Sequence, residues 1–183
     1  MISSSCTLCI CLDDRILIFG TKKVLKRLCD ASVVYADGTF KSAPKLWRQI
    51  ESLHFEYKRH FVTGVVALLP DQTAQTYARF WRLVRGECIT CIMSVESLYE
   101  SSAAAEQHGL TFSPSVVQVD FEAAMVSAVR QVFGEATRVR GCLFHMSNAL
   151  YKSIASLGLA ADYANNVAVS DTFNKIKVSH SSS

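Results

Sequence analysis

The chain has 183 residues, half of them apolar, an ordinary aromatic share and a formal net charge of +3. That length and composition exclude a disordered chain and fit one domain with a real core. No run of about eighteen apolar residues is present, which excludes a membrane-spanning helix, and the mild basic excess permits a nucleic-acid partner without arguing for one.

Residues 1–12 are partly apolar but lack a basic start and run into Asp13-Asp14. They read as a leader of unknown role and not as a signal peptide. The seven cysteines are an odd count, which fits reduced thiols in a cytosolic or nuclear setting. Residues 15–20 read as a short buried strand closed by Gly20. Thr21 can cap a helix that turns Val24, Leu25 and Leu28 inward and the lysines outward. Next come a β-rich run from Val33 through Asp37, a strand over Gln49–Tyr57 and a strand over residues 61–69. The last two turn at Lys58-Arg59-His60, and Pro70 stops the run.

Asp71 or Thr73 begins a helix whose apolar set is Tyr77, Phe80, Trp81 and Val84, the i, i+3, i+4, i+7 pattern. The pattern weakens over residues 88–109, with one helix expected over 95–107. A strand then ends at Asp120. It is followed by a helix with Phe121, Ala124, Met125, Ala128, Val129 and Val132 on one face. Residues 138–144 read as a strand and 148–157 as a helix ended by Gly158. The tail, residues 164–183, is polar, serine-rich and without period, and is expected to be disordered. The order predicts an α/β fold: a mixed sheet with helices on both faces.

Three segments carry chemistry. Val33 to Lys41 and Val116 to Glu122 are apolar runs that each lead to an aspartate, Asp37 and Asp120. The third contains Cys142-x-x-His145. Two acids on separate strands are the oxygen ligands that hard divalent cations prefer, so the set points to metal-dependent phosphoryl chemistry on nucleic acid. Each acid has a plainer reading beside this one. Asp37-Gly38 is a common hairpin-turn pair, and Asp120 stands where a helix N-cap belongs. Cys142 and His145 could be half of a zinc site with Cys6-x-x-Cys9 or Cys88-x-x-Cys91, but the spacings match no standard finger and structural zinc is not expected. Arg79, Arg82 and Arg85 recur every third residue on one helix face, a solvated face or a phosphate-contacting stripe. With Lys41 they are the candidate DNA contacts.

Asp37-Gly38-Thr39-Phe40-Lys41 with Pro44, the stretch from Gln49 to His54, Asp120-Phe121-Glu122-x-Ala124 and Gly141-Cys142-x-Phe144-His145 together resemble the Mutator-like element (MULE) transposase domain. The resemblance covers residues 13–163. It implies a ribonuclease-H-like fold, DNA as partner, a homo-oligomer, a nuclear location and an Asp-Asp-Glu triad holding two Mg²⁺ or Mn²⁺ ions. Asp37 and Asp120 match the first two acids, and Cys142 and His145 match the family's C-x-x-H pair, expected here to be chiefly structural. The family's third acid lies downstream of that pair, whereas no glutamate follows Glu135 in this chain. The chain therefore reads as a C-terminally truncated piece of a transposase. Its ancestral reaction is DNA strand cleavage and transfer, and it is expected to be inactive alone. The other readings are a domesticated DNA- or protein-binding module and a nuclease of the same fold.

Overall fold

Alternating burial along the strands organises the first part of the chain. The computed structural model describes residues 7–11, 15–87, 112–120 and 122–181. The helix expected over 95–107, the Cys88 and Cys91 pair, Cys6, the Asp13-Asp14 pair and Phe121 lie outside the described residues. The chain divides into two units, residues 1–139 and 140–183, a division inside the 13–163 span read as one domain.

The first unit runs β1 (Thr7–Cys11), β2 (Ile16–Gly20), α1 (Lys22–Cys29), β3 (Val33–Thr39), β4 (Gln49–Tyr57), β5 (His60–Leu69), α2 (Ala74–Arg82), β6 (Val116–Val119) and α3 (Ala123–Phe133). A single π-helical turn, Leu83–Glu87, extends α2. β7 (Arg138–Gly141) begins in this unit. The sheet order is β1-β2-β5-β4-β3-β6-β7. Neighbours from β1 to β3 pair antiparallel, and β3 pairs parallel with β6. The sheet is thus mixed, as expected. β1 adds a strand within the segment read as a leader.

One face of this sheet is the core. Ile16, Ile18, Val34, Ala36, Leu53, Phe55, Val65, Ala67, Leu69, Val117 and Val119 are all buried, in one cluster with Leu25 and Leu28 of α1, Tyr77, Phe80 and Trp81 of α2, and Met125, Ala128 and Val129 of α3. The alternate row, including Leu17, Phe19, Tyr35, Ser52, His54, Val66 and Leu68, is only half-buried. Helices on both faces were expected. Within this unit, among the described residues, the three helices pack on the one row that is buried completely, although β2 and β5 are apolar in both rows.

The helix patterns account for α2 and α3. Thr73 caps α2 by accepting a hydrogen bond from the Thr76 backbone amide at 3.2 Å, and Asp71 accepts from the Thr73 amide at 3.0 Å. Trp81 stacks on Phe112 with ring centroids 6.4 Å apart. It meets Phe133 edge-on at 5.6 Å and directs Nε1 at the Met125 sulfur, 3.3 Å away. This aromatic group joins α2 to α3.

In the second unit the strand expected over 138–144 stops at Gly141, and α4 runs over Leu143–Ser156. Helical spacing of Met146 with Leu150 and Ile154 takes over where extended structure was expected. α5 (Ala160–Asn165) and α6 (Val167–Ser181) follow, so the tail read as disordered carries a helix. Its polar sequence hid one anchor. Phe173 is buried, 4.8 Å from the Tyr163 ring, which in turn lies 5.7 Å from Tyr151. Among the described residues, no helix is long and apolar enough to cross a membrane.

Lys58 and Arg59 form the two-residue turn between the paired Tyr57 and His60, with φ of 51° and 65°. Both lie in the left-handed region, which is costly for long side chains and favours Asn-Gly. Replacing the pair by Lys58→Asn with Arg59→Gly is expected to raise stability by about 1–2 kcal/mol in urea unfolding. An unchanged or lowered stability would show that the contact of the Lys58 ammonium, 5.5 Å over the Tyr57 ring, outweighs the backbone strain.

Candidate functional site

The pairing of β3 with β6 fixes the relation between the two aspartates. The registered pairs are Val33 with Val116, Val34 with Val117 and Tyr35 with Gln118. Asp37 and Asp120 each stand two residues beyond the last pair, in one row at the same end of adjacent strands. Asp37 is exposed and Asp120 half-buried. Asp37-Gly38 lies inside β3, paired with Ser52 and Glu51 of β4, so the hairpin-turn reading does not hold. Asp120 is not the N-cap of α3. That position is Glu122, whose backbone amide donates to Asp120 Oδ1 at 3.3 Å.

A further acid enters from β4. Glu51 is 1 % exposed and belongs to the row of Gln49, Leu53 and Phe55, which faces the helices. Gln49 donates from Nε2 to Glu51 Oε2, while Glu51 Oε1 is buried with no hydrogen-bond partner among the described residues. Burial, then the charge of Asp120, then those of Asp37 and Glu122 push the Glu51 carboxyl well above its ordinary range, against the opposing hydrogen bond from Gln49. A carboxyl so placed favours its neutral form. Asp37 and Glu51 start from opposite sides of the pleat. Asp120, just past the end of its strand, is the acid that acts most strongly on Glu51.

The network continues to α2 and α3. Tyr77 Oη lies 2.6 Å from Gln49 Oε1 and 2.8 Å from Glu122 Oε2. One hydroxyl has one proton, so it can donate to only one of these two oxygens. Both contacts are satisfied when Glu122 is protonated and donates to Tyr77, Tyr77 donates to Gln49, and Gln49 donates to Glu51. Burial and the charge of Asp120 raise the Glu122 carboxyl, against the hydrogen bond with Tyr77. Burial, the hydrogen bond to Glu122 and the nearby acids raise the Tyr77 phenol, opposed by Gln49.

Gly38 is what lets this cluster fit. A Cβ there would lie 2.4 Å from Gln49 Nε2 and 3.2 Å from Glu51 Oε2. The Glu51 carboxyl therefore lies close over Gly38, on the face of β3 opposite to the Asp37 side chain. Sequence reasoning passed over Glu51, yet a signal was present: an acid in the same phase as Leu53 and Phe55 on a strand whose inward row is otherwise uncharged.

The remaining candidates fall elsewhere. Cys142 is the N-cap of α4 and His145 sits on its first turn, both half-buried in the second unit. The three-residue spacing places them on one helix face. Lys41 is exposed in the β3–β4 connection. Arg82 is exposed on α2 and Arg79 half-buried. Arg85, on the π turn, donates to the Val132 carbonyl and lies 5.7 Å over the Phe133 ring, which ties it to α3. Among the described residues, no three His, Cys, Asp or Glu side chains already stand close enough to ligate one ion together. The donor set is nonetheless carboxylate oxygen throughout, which suits Mg²⁺ or Mn²⁺ and not a thiolate-seeking metal. Comparison with family models, with curated proteins and with solved structures returns no match to this chain.

Two outcomes test this arrangement. A buried acid with a raised folded-state pKa binds its proton more tightly folded than unfolded. Its stabilising contribution is complete below the ordinary carboxylate range and is lost as pH rises from about 4.5 through the raised value. Relative to Glu51→Gln, the wild-type chain is expected to lose up to about 1.4 kcal/mol per pH unit in that window, measured by denaturant unfolding from pH 4 upward. Parallel pH profiles would show that Glu51 ionises without penalty.

The second outcome concerns the glycine. Gly38→Ala is expected to destabilise by about 1–3 kcal/mol through overpacking, and much of that loss should be recovered in the double variant with Gln49→Ala. Additive losses would place the strain elsewhere.

Proposed function

We propose that the first unit is a ribonuclease-H-like core of the MULE transposase type, whose ancestral reaction is metal-dependent cleavage and transfer of DNA strands at Asp37 and Asp120. The observation that carries this reading is the shared row of the two aspartates at one end of β3 and β6. The order of elements supports it. Three antiparallel strands, β3 to β5, lead through α2 to β6, which returns parallel beside β3, and through α3 to β7. Counted from β3, these five strands lie in the order 3-2-1-4-5, the arrangement that the resemblance implies.

Asp37 and Asp120 would hold the cations. Bound Mg²⁺ or Mn²⁺ supplies charge neutralisation to the attacking and leaving oxygens of an in-line phosphodiester displacement. The chain's own residues present the carboxylates from a rigid strand pair and bury the face behind them. Lys41 and Arg82 are exposed cations suited to phosphate, a contact that would weaken as salt rises. DNA as partner, self-association and a nuclear location belong to the same proposal.

The test has two parts on the purified 183-residue chain. Mn²⁺ at ten times its dissociation constant is expected to stabilise the fold by about 1.4 kcal/mol, seen as a raised melting temperature that is lost in Asp37→Asn. An equal rise in that variant, or no rise in the wild type, overturns the cation reading. In Mn²⁺-dependent nicking of supercoiled DNA the chain is expected to be slow. No glutamate follows His145 in its sequence, where the later acids are Asp162 and Asp171, and imperfectly placed reacting groups cost about a hundredfold. Robust nicking that vanishes in Asp120→Asn would show a complete site in this chain.

A further inference from the structure

We propose that the β3–β4 connection, residues 40–48, grips an unpaired DNA strand, with Phe40 and Leu46 against its bases and Lys41, Lys45 and Arg48 against its phosphates. The proposal rests on the reading of DNA as partner and adds the form of that DNA and the residues that hold it.

The composition of the connection is the first support. From Gly38 to Arg48 the chain carries three cations and no acid, and Lys41, Lys45 and Arg48 are all exposed. Two large apolar side chains stand among them, Phe40 at 43 % and Leu46 at 68 % exposed. Cations alone would suit a duplex, whose outer surface is phosphate. An exposed ring set among cations suits an unpaired strand, because unstacked bases offer a face for stacking and paired ones do not.

The connection is also held in one shape. The Ala43 amide donates to the Phe40 carbonyl at 3.2 Å and the Trp47 amide to the Pro44 carbonyl at 2.8 Å, giving two successive turns. The Arg48 amide donates to the Leu69 carbonyl at 2.9 Å, and Trp47 Nε1 donates to the Arg15 carbonyl at 2.8 Å. These bonds tie the connection to the end of β5 and the start of β2. A loop already ordered has little conformational entropy left to lose on binding. Arg15 is itself exposed and has a φ of 55°, a costly conformation for a long side chain and one that clusters at ligand sites. It adds a fourth cation next to Trp47, with Asp71 as the acid beside it. The start of β2 and the ends of β3 and β5 lie at one end of the sheet, the end where Asp37 and Asp120 stand. A strand held by the connection would therefore lie next to the two aspartates.

The test is fluorescence anisotropy of a labelled oligothymidine of about fifteen nucleotides, near the upper site size of single-strand grooves. It uses the full 183-residue chain in EDTA, so that no divalent ion bridges protein and DNA. Phe40→Ala is expected to weaken binding about tenfold, while Phe40→Trp retains it. Lys41→Gln combined with Lys45→Gln should lower the slope of log affinity against log salt by about 1.4. A second measurement needs no variant. Ultraviolet cross-linking of the wild-type chain to the same oligothymidine should place the adduct within residues 40–48. Unchanged affinity in Phe40→Ala with a cross-link outside that segment overturns the role of the connection and leaves DNA as partner standing. Equal affinity for a duplex of the same length, without a Phe40 effect, shows phosphate contact only and overturns the unpaired-strand proposal. Binding of neither form overturns the DNA reading and this proposal with it, whatever the Mn²⁺ melts show for the cation.

Discussion

The parallel pairing of β3 with β6 is the constraint on which the rest depends. A parallel neighbour cannot follow a tight turn. The chain must leave the end of β3, build other structure and return to the starting edge. Among the described residues the detour is β4, β5 and α2, and β4 and α2 both reach the junction. β4 supplies Gln49 and Glu51 next to β3, and α2 supplies Tyr77 beneath them. The return strand then delivers Asp120 two residues past the same register point as Asp37. A slip of one residue in that pairing would send Asp120 to the other side of the sheet. Burial of Val34 and Ala36 opposite Val117 and Val119 makes such a slip costly, because it would turn an apolar row outward.

The polar network and the core therefore share one face and compete for it. The row Gln49, Glu51, Leu53, Phe55 begins polar at the site and becomes apolar away from it. α2 follows the same gradient, from Thr76 and Tyr77 near the acids to Phe80 and Trp81 in the aromatic group with Phe112 and Phe133. The aromatic end accounts for packing without any polar partner beyond the Met125 sulfur. At the other end, hydrogen bonds replace dispersion, and each group there is fixed by a neighbour on another element. A polar cluster of this kind is stable only when its members are satisfied, which makes Glu51 Oε1, without a partner among the described residues, the point where the network is incomplete.

Much of this was legible in the sequence, and the failures have physical causes. The spacing of Tyr77, Phe80, Trp81 and Val84 located α2, and the apolar runs located β3 and β6, because burial on one face imposes a period. Asp37-Gly38 was ambiguous since the same dipeptide suits a turn. Only pairing with β4 shows that the glycine is needed for the Gln49 and Glu51 side chains. Glu51 was missed because a strand reading looks for apolar alternation and passes over a single acid in the inward phase. The helix over Val167–Ser181 was missed for a different reason. Among the described residues its buried anchor is Phe173, and a single anchor leaves almost no period in the sequence. The start of α4 was misplaced because Cys142, Leu143 and Phe144 suit a strand as well as a helix.

Glu51 is the most costly member of the inward row of β4. An acid of that burial is tolerated when it stays neutral and donates or accepts a hydrogen bond, and the contact with Gln49 meets that need for one oxygen only. A leucine in the same row would continue the core of Leu53 and Phe55 and would need neither Gln49 nor the bare surface of Gly38. Purely structural roles for Gln49, Gly38 and Tyr77 would thus have a simpler apolar solution, since replacing buried polar groups by well-packed apolar ones is often neutral or stabilising. The arrangement found instead holds a buried carboxyl on Gln49, with Asp120 and Asp37 near enough that their charge favours its neutral form.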